Sequence, residues 1–516
     1  MSYTEKIEEL RRRKSRIVES IDQQTKKRLF SDKGMFPPRG RIEKLLDPQS
    51  FFEVDLLATH NYQDFGMDKR FIPAEGVVTG YGTINGRRVA VYAQDFAAMG
   101  GSYGEMTGKK ICALMDKAAD IGIPVIGICH SGGLRLHETL GPMEMFGQLF
   151  KRNSIYSGLI PQISIILGVV AGGQAYSPGL TDFILMTKNS SIFIAGPAFV
   201  KAQTSMDISE QDLGGAEMHA RCNSLVDIMT ETEEEILHET RRLVDYLPLN
   251  CRESPPKLDC SDDPKRLCLE LDNLVPVESN RPVDMHRILL PIFDNQEFFE
   301  TKANFAKNLI TGFARLNGHV VGVLANQSKY LGGVIDIMAA EKSARFVRFC
   351  DAFNIPLITF QDSPAYLIGK EMESQGIIYR GAKLLYAYAE ATVPKITVIV
   401  RKAYAGSYIA MGSQYIGADF VYAWPGAEIS SVAAKTAASI LFREQISKAD
   451  DPEKVEQELS QEYYGKYVQP YRAASLRHIN DIIEPSQTRA ILTKSLFILA
   501  GKSEKRPAKK HGNVPL

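Results

Sequence analysis

Two stretches of the chain stay apolar for most of their length: 163–182, ISIILGVVAGGQAYSPGLTD, and 396–412, ITVIVRKAYAGSYIAMG. Each is a β-branched run that ends on small residues, Ala171-Gly172-Gly173 in one and Ala405-Gly406-Ser407 in the other. Such a run predicts a buried strand, and its ending predicts a turn stripped of side chains so that backbone amides can face a ligand. Upstream of the first stretch, residues 76–95 alternate as two short strands joined by an Asn85-Gly86 hairpin turn. Residues 101–120 carry helical periodicity, and 123–129 form another apolar strand.

The same order recurs later in the chain. From Gly86 to Gly318, Gly101 to Gly333, Lys110 to Lys342, Pro124 to Pro356 and Ser131 to Ser363 the interval is always 232 residues, and from Gly173 to Gly406 it is 233. A fixed offset held over so many landmarks means a duplicated domain. Each copy reads hairpin, helix, buried strand, helix, buried strand with glycine turn, an α/β layered unit of the ββα kind. Residues 3–30 predict an exposed amphipathic helix with a solvated charged face. Residues 247–285, rich in Pro, Asp and Ser, predict a linker. The expected division is therefore a helix at 1–35, a first domain at 36–250, a linker at 251–285 and a second domain at 286–516. The basic ending GKSEKRPAKKHGNVPL predicts an arm that wraps a neighbour or stays mobile.

Composition narrows the class. The 516 residues are 44% hydrophobic and 24% charged, with Lys+Arg and Asp+Glu at 61 each, so no charge excess points to nucleic acid or an anionic membrane. Seven cysteines without a CxxC pair suit a reducing compartment, with the cytoplasm as the simplest home. The first thirty residues have the pattern of neither a signal nor a transit peptide, and no apolar run reaches the roughly 18 residues of a membrane span.

Paired amide turns need no catalytic side chain. Backbone N–H groups aimed at a developing oxyanion supply roughly 3–4 kcal/mol for each key donor. The plainer alternative is that Gly172-Gly173 only permits close strand–helix packing; its recurrence in both copies argues against that. A further glycine turn, Ser131-Gly132-Gly133, follows the strand VIGICH, with Arg135 and His137 just beyond. SGGLR is not a G-x-S-x-G elbow, so a turn whose backbone and Arg135 meet a ligand is preferred to Ser131 as nucleophile, and His137 is expected to be ordinary surface or core. The dispersed histidines predict no metal site, and no Walker A sequence is present.

With these pieces in hand, the strings EGVVTGYGTINGRRVAVYAQDF, GIPVIGICHSGG, RNSIYSGLIPQISIILG, AGGQAYSP followed by LTDF, EKSARFVRFCDAFNIPLITF, GIIYRGAKLLYAYAEATVPKITVIVRKAY and GADFVYAWP make the chain resemble, over nearly its whole length, the carboxyltransferase subunits of biotin-dependent acyl-CoA carboxylases of the propionyl-CoA carboxylase β type. It is also similar to the α subunits of acyl-CoA decarboxylases. The resemblance implies two tandem crotonase-like β-β-α spiral domains, paired head to tail in a hexamer of two stacked trimers. It implies that Gly172 and Gly173, beside Ala171 and the turn Ser131-Gly132-Gly133 with Arg135, bind the enolate oxygen of a CoA thioester. Gly406 and Ser407, beside Ala405, would bind the ureide oxygen of biotin, and Ile409 would shape the acyl pocket for a short chain. The biotin would arrive as carboxybiotin on a separate carrier chain or domain, since the chain has no A-M-K-M carrier lysine and no ATP-grasp signature; a biotin carboxylase and a carrier protein are the implied partners.

The chain departs from the family pattern mainly in its second half. DSGGAR becomes 130–135, HSGGLR; AYGGAY becomes 403–408, AYAGSY; PGF-x-PG becomes 364–369, PAYLIG; MGAEGA becomes 432–437, VAAKTA. These changes leave three readings open: an ordinary carboxyltransferase, a malonyl- or methylmalonyl-CoA decarboxylase working with or without biotin, and a non-catalytic scaffold.

Overall fold

A computed structural model describes residues 2–20, 26, 27, 29–276, 278 and 281–515. Its chain forms two compact units, Met1–Glu253 and Ser254–Leu516. In the first, strands β1 (Phe52–Val54), β2 (Val77–Ile84), β3 (Arg87–Gln94), β4 (Val125–Ser131), β5 (Gln162–Ala171), β6 (Phe183–Thr187) and β8 (Ile228–Thr230) lie in that order across one sheet, with β7 (Ser191–Phe193) on the far end of β5. The second unit repeats the arrangement. Strands β9 (Phe299–Thr301), β10 (Leu309–Leu316), β11 (His319–Asn326), β12 (Leu357–Ser363), β13 (Lys395–Tyr404), β14 (Phe420–Ala423) and β16 (Asp481–Ile482) follow one another, and β15 (Glu428–Ser430) pairs with β13. Both hairpins are antiparallel, and the pairs β3–β4, β4–β5, β11–β12 and β12–β13 are parallel.

The periodicities explain these elements. Strand β4 is buried at every position and β5 at most, which is why their sequences are continuous apolar runs rather than alternating ones. Asn85 and Gly86 take φ of 51° and 73°, and Asn317 and Gly318 take 52° and 77°; these are the left-handed pairs that a two-residue hairpin turn needs. The helices Glu105–Ile121 and Ile337–Ala352 pack one face into the core and each buries a lysine. Lys110 Nζ donates to the carbonyls of Ala74 and Val77, and Lys342 Nζ to those of Lys302, Phe305 and Leu309. Burial lowers Lys110 to about 8. The duplication thus extends to the hydrogen bonds of buried cations.

Three expectations are corrected. The N-terminal helix expected over 3–30 runs over Tyr3–Val18, burying only Ile17, and stops at 19–20, where Ser20 Oγ donates to the Ile17 carbonyl; residues 26, 27 and 29 are helical again. Residues 21–25 and 28 lie outside the described residues. The stretch 251–285 is not a free linker, because Cys268, Leu271, Val283 and Met285 are buried in the second core and Cys268 N–H donates to the Ser486 carbonyl at 2.8 Å. Its spaced apolar residues were hidden among Pro and Asp. The basic ending packs on its own chain: Arg506 donates to the Ala389 carbonyl at 2.8 Å and Lys509 pairs with Glu390, at the C-terminus of the helix Ile377–Glu390, where cations are favoured.

Candidate active site

Strand β5 ends in a helical turn over Gly172–Ala175, and β13 ends in the helix Ala405–Ala410. The first N–H groups of a helical turn have no acceptor within it, so both strand ends present amides outward. The registers match: Val169 faces Ser191 on β7, as Lys402 faces Glu428 on β15. By that register Ala405 and Gly406 are the counterparts of Gly172 and Gly173. Gly172 takes φ 70° and Ala405 takes φ 48°, so the second turn keeps the left-handed conformation although its first glycine is replaced by alanine.

Exposure sharpens the assignment. Ala405 and Gly406 are exposed, whereas Ser407 is buried with its hydroxyl donating to the Tyr404 carbonyl at 2.7 Å and directed at that of Ser363. Ala405 and Gly406 are thus the exposed residues of the second turn, with the Ser407 side chain turned into the fold beneath them. A Cβ on Gly173 would stand 2.9 Å from the Phe146 ring, so this position must be glycine on packing grounds as well. A Cβ on Gly406 would stand 3.6 Å from Tyr366, an ordinary contact. Phe146 belongs to no glycine string and carries no mark in the sequence, whereas Tyr366 stands in the altered loop at 364–369.

The Ser131-Gly132-Gly133 turn abuts the first site but has a different role from the one expected. A Cβ on Gly133 would lie 3.2 Å from the Ala171 carbonyl, which places this turn against the end of β5. Gly132 N–H donates to the Gly100 carbonyl at 2.9 Å, Gly133 N–H to Ser131 Oγ at 3.2 Å, and Ser131 Oγ to the Gly101 carbonyl at 2.7 Å. Its amides and its hydroxyl are engaged within the fold, so Ser131 is no nucleophile and the turn supports its neighbour. Arg135 does not meet a ligand either. Its guanidinium is fully buried, 2.8 Å from Glu75, 2.7 Å from Glu138 and bonded to Ser102. His137 is half-buried.

The altered acid beside this turn has a structural answer. In the second unit Asp362 and Arg401 form a buried ion pair at 2.8 Å. The positions 232 and 233 residues earlier hold His130 and Gly168. Here the His130 ring stacks on Phe96 at 4.1 Å and lies where a Cβ on Gly168 would be, 2.3 Å away. His130 N–H donates to Gln94 as Asp362 N–H donates to Asn326. Burial, with the Arg41 and Lys33 cations nearby, pushes the imidazole down to about 3, so it is neutral near pH 7.

Beside the second turn lies a cavity of about 470 Å³. Ala405 and Ile409 form one wall, and the segment after β15 returns to form the other with Tyr467, Arg472 and His478. Tyr408 O–H donates to the His478 carbonyl, and Tyr415 O–H is bonded to His478 Nδ1. Ile409, the expected pocket residue, is exposed to this space. Among the described residues no cluster of His, Cys, Asp or Glu could hold a metal ion, and no helix is long and apolar enough to cross a membrane.

Two duplicated ββα units, each ending a parallel strand in an outward amide turn, define a class of enzyme that stabilises oxyanions with its backbone. The family model described as the carboxyl transferase domain matches residues 31–514, and the chain belongs to that family. It is 45% identical over the full length of both chains to the propionyl-CoA carboxylase carboxyltransferase subunit of Haloferax mediterranei. It is 43% identical, over 99% of both chains, to the methylmalonyl-CoA decarboxylase subunit alpha of Propionigenium modestum. The crystal structure of hexameric transcarboxylase 12S, with methylmalonyl-coenzyme A and methylmalonic acid bound, superposes with a TM-score of 0.97 at 42% identity over 100% of this chain and 99% of that one. The chain is thus an enzyme with two tandem crotonase-like β-β-α units.

Proposed function

We propose that the chain is the carboxyltransferase subunit of an acyl-CoA carboxylase, moving a carboxyl group from carboxybiotin to the α-carbon of a short acyl-CoA such as propionyl- or acetyl-CoA. The carrying observation is the same left-handed amide turn at the same place in both units, Gly172–Gly173 and Ala405–Gly406. The first turn would hold the thioester oxygen as the α-carbon becomes an enolate, its donors worth roughly 3–4 kcal/mol each in a dry site. The second fits a neutral or anionic ureide oxygen, because its amides are exposed beside an aromatic-walled cavity. Biotin, when present on its carrier, supplies the carboxyl group and accepts the α-proton, so the chain needs no general base. Gly173 stays bare to let the oxygen approach, and Arg135 with its two carboxylates fixes the supporting turn.

In this reading the first unit of one subunit faces the second unit of a neighbour in a hexamer of two trimers, and separate biotin carboxylase and biotin carrier chains complete a cytoplasmic complex. The relative in transcarboxylase 12S assembles as a hexamer. A second reading, decarboxylation of malonyl- or methylmalonyl-CoA, uses the same turns and is favoured by the likeness to the Propionigenium modestum subunit. A scaffold without catalysis is disfavoured because Ala405 keeps the left-handed conformation of its counterpart Gly172, so the turn is retained although its glycine is not. The deciding experiment incubates the purified chain with a carboxylated biotin carrier and propionyl-CoA. Transfer of labelled carboxyl to the thioester supports the first reading. Release of CO2 from methylmalonyl-CoA without net transfer supports the second, and neither activity refutes both.

A further inference from the structure

The cavity beside the second turn carries a charge that the amide chemistry does not use. Its lining is mostly aromatic and aliphatic, with the hydroxyls of Ser430 and Ser431 at one side, and contains no acidic residue. Arg472 supplies its one fixed charge. Arg472 is exposed toward this space, and among the described residues no hydrogen bond or ion pair engages its guanidinium. The backbone around it is also shaped: the helix Pro452–Tyr463 passes into a π-helical turn over Tyr464–Val468, which sets Tyr467 into the lining, and Arg472 follows in the helix Pro470–Ser475. Such π turns recur at functional sites. His478, the third polar element of the wall, is tied by both Tyr408 and Tyr415. A concave, apolar, ligand-sized space with one unpaired planar cation selects a carboxylate attached to a compact organic group.

We propose that Arg472 is a specificity-determining residue that recognises the carboxyl group being transferred, while the amides of Ala405 and Gly406 hold the adjacent oxygen. This rests on the function proposed above. That carboxylate has two sources, the N-carboxylated ureide of the donor and the carboxyacyl thioester, and both present the same anion to the guanidinium. The fork of N–H donors matches it bidentately, a geometry lysine cannot reproduce.

The test uses the full chain and its R472M and R472K variants, whose exposed side chain leaves folding intact. Calorimetric titration with methylmalonyl-CoA and with propionyl-CoA reads the thioester source; the concentration dependence of N-carboxybiotin consumption, with biotin as competitor, reads the donor source. Arg472→Met is expected to weaken methylmalonyl-CoA, or raise the KM for N-carboxybiotin, about tenfold, with propionyl-CoA and biotin within twofold of wild type. Arg472→Lys should recover only part of the loss. A change confined to one ligand assigns the carboxylate to that source. If wild type binds both carboxylated ligands and R472M leaves both unchanged, this assignment is overturned while the function stands. If wild type binds neither thioester nor donor, the functional reading fails and this one with it.

Discussion

Ala405 offers a direct test of whether the second turn is built like the first. A non-glycine residue in the left-handed region carries about 1–2 kcal/mol of strain, and Ala405 sits there at φ 48°. Ala405→Gly removes that strain, but glycine adds roughly 0.5–1 kcal/mol of chain entropy to the unfolded state. The net expectation is a second unit stabilised by about 0.5–1 kcal/mol, opposite in sign to an ordinary Ala→Gly change at a helix start. The protein's single tryptophan, Trp424, is buried in the second unit, 3.1 Å through its Nε1 from Thr488 Oγ1, so its fluorescence during urea unfolding reports on that unit. The midpoint should rise with the slope unchanged. The mirror change Gly172→Ala, at φ 70° with only the Gly133 Cα within 4 Å of the new Cβ, should destabilise the first unit by about 1 kcal/mol through strain rather than collision. If A405G lowers the unfolding free energy read at Trp424 by about 1 kcal/mol, Ala405 is not left-handed in solution and the equivalence of the two turns is lost.

Other expectations follow from the same geometry. Gly406→Ala finds room at 3.6 Å from Tyr366, so its stability should stay within about 0.5 kcal/mol, while carboxyl transfer falls at least tenfold if a ligand oxygen approaches that amide; unchanged steady-state rates would refute the approach. Gly173→Ala should lower both, since its Cβ meets Phe146 at 2.9 Å, and hydrogen exchange over 168–176 would register the loosening. Arg135→Ala strands two buried carboxylates and should destabilise the first unit by about 3–5 kcal/mol; a folded variant with only a raised KM for thioester would return Arg135 to ligand binding. His130 is held neutral in the fold at about 3 against 6.5 when exposed, so its contribution is complete above pH 6.5 and is lost as pH falls toward 3, with a slope approaching 1.4 kcal/mol per pH unit. Denaturation of wild type and H130F followed across that range should show a shallower slope in the variant between pH 6.5 and about 4.5, above the range where carboxylates such as Glu390 and Asp284 take protons.

The duplication, the hairpins, the buried strands and both glycine turns were legible in the sequence because each depends on local periodicity or on an interval that survives in the string itself. The same letters could not tell which amides are open. Gly132 and Gly133 look as available as Gly173 on paper, yet both donate within the fold, Gly132 to the Gly100 carbonyl 32 residues earlier and Gly133 to the Ser131 hydroxyl, which is itself turned onto the Gly101 carbonyl. Arg135 looked like a ligand contact and is a buried ion-pair partner because Glu75, 60 residues earlier, folds onto it. Ala405 looked like a lost glycine, yet directly after Tyr404, where the pairing of β13 with β15 ends, it takes the glycine conformation. The cavity with Arg472 exists only because the helices after β15 return to the start of the helix Ala405–Ala410. The sequence by itself determined which elements form and that they form twice. Tertiary structure alone decided which of their polar groups are left facing outward, because satisfaction of a donor is a property of its distant neighbours and not of its own residue.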